Sequence, residues 1–152
     1  MRSATALLAV VLIIGCQSDD AAPADDEPVP AAEATPTAPT LAEFAGTWQN
    51  SVTLNGVPDP VPSTLTGTAA GNDWTMSLEG RPSIPLTVSI VGDSLISQSA
   101  EYESILRPGV MVTVRTASVL RNGMLEGTVI ATYRTPTGEE VVNGTLTGTR
   151  TQ

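Results

Sequence analysis

The sequence contains no histidine, no lysine and a single cysteine, Cys16; its seven basic residues are all arginine. Without histidine, Ser-His-Asp and Cys-His catalysis are excluded, and so are histidine metal sites. Without lysine there is no Schiff base, no Ser-Lys dyad and no P-loop. Sixteen acidic residues leave a net charge of −9, the opposite of the basic footprint that nucleic-acid binding requires. A lone cysteine cannot form an intramolecular disulfide. Asp25-Asp26-Glu27 is a run of acids without the spaced ligands of a calcium loop. No cofactor and no metal are expected. At 152 residues the chain holds one ordinary domain plus appendages.

What is present begins with an address. After Met1-Arg2, an apolar run from Ala4 to Ile14 is broken only by Thr5. It is shorter than the about 20 residues of a spanning helix and fits the apolar region of a secretory signal peptide. It ends in Ile13-Ile14-Gly15-Cys16, which resembles the lipobox of bacterial lipoproteins. The resemblance implies that residues 1–15 are a signal peptide, that cleavage follows Gly15, and that Cys16 is lipidated. Two or more acyl chains anchor a protein stably where one does so marginally, each buried methylene adding about 0.8 kcal/mol. The residue after the cysteine is Gln17 rather than Asp, which under the family's sorting rule implies the outer membrane, facing the periplasm.

Residues 16–40 carry five prolines, many alanines and six acids, with one valine as the only bulky apolar side chain. Such a segment buries too little surface to fold. It reads as a disordered linker that would reach roughly 75 Å if fully stretched as polyproline II. Residues 41–152 differ. They are rich in Thr and Val, with turn signals at short intervals and no helical period. The fold expected is all-β, an eight-stranded antiparallel up-and-down barrel. Its strands are expected near 46–54, 63–70, 73–80, 84–91, 94–102, 110–121, 124–134 and 139–150. Asn122-Gly123 is the most specific hairpin turn. Ile84, Leu86, Val88 and Ile90 share one face, as do Leu125, Val129, Ala131 and Tyr133. Leu65-Thr66-Gly67-Thr68, Leu125-Glu126-Gly127-Thr128 and Leu146-Thr147-Gly148-Thr149 form a weak repeat. Its glycines are expected to mark bends or close backbone approach.

Gly46-Thr47-Trp48 at the start of the domain and Arg150 at its end resemble the lipocalin and calycin pattern. In that family an arginine of the last strand packs over a tryptophan of the first, which implies a cation–π lid of Trp48 and Arg150. The stretch is short for a lipocalin and lacks the family's C-terminal helix and paired cysteines. It also lacks the several tryptophans of a biotin pocket, so biotin is not the expected ligand.

A barrel of this size is either filled by its own side chains or holds one small ligand. The inward positions are expected to be mostly aliphatic, with Met76, Trp74, Gln98, Thr116 and Ser118 among them. The irregular stretch 102–109 is the first place to look for recognition residues. Candidate ligand-binding residues are therefore Trp74, Gln98, Tyr102, Arg107 and Thr116. A Glu103–Arg107 ion pair, with Ile105-Leu106 plugging the barrel, is the alternative use of that stretch. Two functions remain open: a membrane-tethered binder of a small apolar ligand, or a solid-barrel interaction module for an envelope protein. The second predicts an exposed apolar patch, hinted at by Met111, Val119, Met124 and Ile130. Convergent catalytic groups are not evident. A non-enzymatic monomer is expected, with the membrane as partner through Cys16.

Overall fold

The computed structural model describes residues 37–151. The expected signal peptide, Cys16 and most of the expected linker lie outside the described residues. Among the described residues, a single helical turn, α1 (Leu41–Phe44), precedes nine strands. These are β1 (Gly46–Leu54), β2 (Val61–Gly67), β3 (Trp74–Ser77), β4 (Ile84–Val91), β5 (Ser94–Ser99), β6 (Tyr102–Glu103), β7 (Met111–Arg121), β8 (Met124–Thr135) and β9 (Gly138–Arg150). All pairings are antiparallel. β1 pairs with both β2 and β9, and β5 pairs with β7, so the sheet closes on itself. The result is an eight-stranded up-and-down barrel with β6 as a short extra strand. Closure pairs each of the eight barrel strands on both sides over part of its length, although the short β3 covers only Ile84–Leu86 of β4.

Alternation sets which face is dry. In β4 the even positions Ile84 to Ile90 are wholly or partly covered and the odd ones exposed. In β8, Leu125, Val129, Ala131 and Tyr133 are buried. Asn122 and Gly123 both have positive φ, 51° and 77°, the backbone of a type I′ turn whose twist suits two joined strands. Between β4 and β5 only Gly92, the first central residue, is positive at 62°, as a type II′ turn requires.

The three repeat glycines sit where another group comes close. A Cβ on Gly67 would lie 2.2 Å from the Trp74 ring, one on Gly127 2.2 Å from the Ala117 carbonyl oxygen, and one on Gly148 2.1 Å from Asn50 Oδ1. Their leucines, Leu65, Leu125 and Leu146, are buried in the core.

Three features depart from the expected strands. α1 carries Phe44 into one end of the barrel, where it is fully buried. β2 begins at Val61 and stops at Gly67, because the Trp74 indole covers that glycine and donates to the carbonyls of Thr68 and Ala70. The strand expected at 94–102 is interrupted. Gln98 pairs with Arg115 but Tyr102 with Val112, which leaves one extra residue on the first strand, a bulge. Two backbone N–H groups beside the bulge find partners outside the ladder. Ser99 Oγ accepts from the Val114 N–H at 2.8 Å, and the Ala100 N–H donates to the Pro85 carbonyl at 2.9 Å.

Candidate functional site

One end of the barrel is plugged. Trp48 is 0% exposed, and its indole N–H donates to the Phe44 carbonyl at 2.8 Å. Register places Arg150 directly across from it. The guanidinium lies over the indole, 4.4 Å from its centroid, and donates to the carbonyls of Ala45 and Glu43 at 2.9 and 2.5 Å. The first and last strands are thereby joined at their open ends, and the one-turn helix is held down by the same side chain.

Above this plug lie two adjoining cavities of about 40 and 50 Å³. Val52, Ser63, Met76 and Val114 border both. The lower cavity is ringed by a polar belt: Asn50, Ser63, Ser97, Ser99, Thr116 and Ser118. Ser97 Oγ and Thr116 Oγ1 are 2.7 Å apart and bonded to each other. The upper cavity is apolar, walled by Leu54, Leu78 and Val112 with the rings of Tyr102 and Tyr133. Among the described residues, those two phenols are the only titratable groups on either wall.

The upper cavity ends at the 104–110 loop. Ile105 and Leu106 line it and are each 38% exposed, so they form a rim between lumen and water. Buried Ser104 shapes the loop by accepting the N–H groups of Leu106 and Arg107, both at 3.1 Å. The expected Glu103–Arg107 pair does not form. Glu103 accepts the Gly109 N–H and faces Arg81, 3.7 Å away. Arg107 instead grips Glu140 of β9 with two 2.7 Å bonds and lies 4.2 Å from the Tyr133 centroid. Those bonds hold the Glu140 carboxyl below the usual carboxylate range. The latch thus tightens above that range and loosens as pH falls and Glu140 takes up a proton.

Of the five candidate ligand-binding residues, the fold brings Tyr102 and Thr116 to the lumen. Trp74 is buried against Gly67 and lines neither cavity. Arg107 lies outside, over Tyr133. Gln98 is a correction, because β5 turns Leu95, Ser97 and Ser99 inward, which puts Gln98 on the outer face beside Arg115. Both parities of β5 carry one aliphatic residue, so alternation alone could not decide. Closure against Thr116 and Ser118 of β7 decides it. Of the polar belt, the sequence reading had Thr116 and Ser118 inward and missed Asn50, Ser63, Ser97 and Ser99.

Tyr102 gives a pH test. Burial, then the neighbouring Tyr133, pushes its phenol from 10.0 up to about 12. The fold therefore favours the neutral phenol. The Tyr102 contribution is intact below pH 10 and is lost as pH rises toward 12, where the unfolded chain ionises first. Alkaline titration should cost the wild type about 2–3 kcal/mol over that window, at 1.36 kcal/mol per pKa unit. Urea unfolding of Tyr102→Phe should lack that loss. An equal loss in the variant would place the sensitivity elsewhere.

The outward apolar residues do not merge into one patch. Met124 is paired with Arg121, Val119 with Glu126, Ile130 with Arg115 and Met111 with Arg134. Each apolar side chain has a charge as its cross-strand neighbour. No protein-family model, curated protein or solved structure matches the chain.

Proposed function

We propose that the chain is a lipid-anchored envelope protein whose barrel is a non-enzymatic binder of a small apolar ligand. Cys16 carries the anchor, residues 17–40 hold the barrel off the outer membrane on its periplasmic side, and the lumen is the binding site. The observation that carries this reading is the apolar upper cavity beneath the exposed Ile105-Leu106 rim. Cavities of about 50 and 40 Å³ fall well below the roughly 300–1,000 Å³ of drug-sized sites, so the ligand is small. The interaction-module reading is less well supported, since charges separate the outward apolar residues.

The test has two readouts on the full chain expressed in a bacterium. The protein should sediment with membranes, and Cys16→Ser should release it or leave it unprocessed. In native mass spectrometry the wild type should carry a mass excess that vanishes on denaturation, whereas covalent acyl groups persist. A Cys16→Ser chain that is processed and retained like the wild type would overturn the anchor. A bare native mass after incubation with lipid extract would overturn the carrier.

A further inference from the structure

The lumen carries no full charge on either wall, yet its lower part is not apolar. Asn50 is 8% exposed, and its Oδ1 is buried with no hydrogen-bond partner. That oxygen occupies the lumen space above Gly148, which a side chain at that position would fill. None of the belt hydroxyls donates to it: Ser97 is bonded to Thr116, and Ser99 Oγ accepts the Val114 N–H. A buried acceptor left unpaired is costly, so a donor that reaches it is favoured.

Resting on the binding reading above, we infer that the ligand is a short uncharged molecule bearing one hydrogen-bond donor, an alcohol or primary amide. Its donor seats on Asn50 Oδ1 within the hydroxyl belt, and its hydrocarbon part fills the upper cavity. A carboxylate is excluded on two counts. It offers Asn50 no donor, and neither cavity wall holds a cation to pair with it. Arg107 is turned outward onto Glu140, and Arg150 lies beyond the Trp48 plug. Size follows from volume. An apolar cavity of about 150 Å³ accepts benzene, so these two smaller chambers accept about six non-hydrogen atoms or fewer.

The full chain titrated with 1-pentanol, n-pentane and butanoate, with dissociation constants from ligand-observed NMR, tests this. The alcohol should bind about fivefold more tightly than the hydrocarbon, the worth of one net hydrogen bond, and butanoate should not bind. Asn50→Leu should bring the alcohol down to the hydrocarbon's affinity while leaving n-pentane at least as well bound. The wild-type ranking needs no variant, so a misfolded Asn50→Leu leaves the test intact. Equal binding of alcohol and hydrocarbon, with Asn50 served by water alone, would overturn the inference and spare the apolar-ligand reading. So would a preference for butanoate. Failure of all three to bind would overturn both.

Discussion

Trp48→Ala is expected to destabilise the barrel by about 4–5 kcal/mol, the upper part of the range for a buried Trp-to-Ala truncation. Three losses combine. The fully buried indole leaves a cavity at the plugged end. The Phe44 carbonyl loses its 2.8 Å donor. Arg150 loses the ring beneath it, worth about 0.5–1 kcal/mol at a partly exposed site. The register pair Trp48–Arg150 lies at the seam where the first strand meets the last, so the damage falls on closure. Equilibrium urea unfolding followed by circular dichroism measures it. Trp48→Phe keeps a ring under Arg150 and drops the indole donor, and should cost about 1–2 kcal/mol. A loss below about 1 kcal/mol for the alanine variant would mean that the plug does not hold the barrel shut.

Gly127→Ala is expected to cost about 3 kcal/mol, the upper end for overpacking. The new Cβ would stand 2.2 Å from the Ala117 carbonyl oxygen and 2.8 Å from Ser118 Cα. Both are backbone atoms of the paired strand β7, so no rotamer change relieves the contact and β7 must move away from β8. Gly71→Ala is the control. Its Cβ would meet only the Leu41 side chain at 3.5 Å, and the change should stay within about 0.5 kcal/mol. If the two variants unfold alike, β8 is not pinned against β7 at this glycine.

The Leu-x-Gly-Thr repeat made this position visible before any coordinates. Leu and Gly share parity in a strand, and a glycine facing a packed core has a reason to lack a side chain. The barrel itself was legible for similar reasons. Strict alternation in β4 and β8 assigned their dry faces, and Asn122-Gly123 fixed one hairpin and its register. The Gly46-Thr47-Trp48 and Arg150 pair pointed to the plugged end, where they meet.

What alternation could not reach lay in β5 and beyond it. Ile96 and Leu95 give each face of β5 an aliphatic residue, and the bulge at 99–101 shifts register by one. Small serines then face inward, where bulky residues were expected. Arg107 had an acid four residues away, Glu103, but its partner is Glu140, which only the return of β9 brings near. The polar belt joins residues of four strands, and no local pattern gathers Asn50, Ser63, Ser97 and Thr116. Cavity volume depends on barrel radius and rotamers and is not written in any short segment.

The methionine methyl spectrum tests the lumen reading most directly. The sequence has four methionines, and Met76 borders both cavities. Met111 and Met124 are instead paired with Arg134 and Arg121 on the outer face. Titration of the full chain, labelled with ¹³C at its methionine methyls, with 1-pentanol should shift Met76 in a saturable way and leave Met111 and Met124 in place. A Met76 signal that stays fixed while Met111 or Met124 moves would put the ligand on the outside of the barrel and contradict the account.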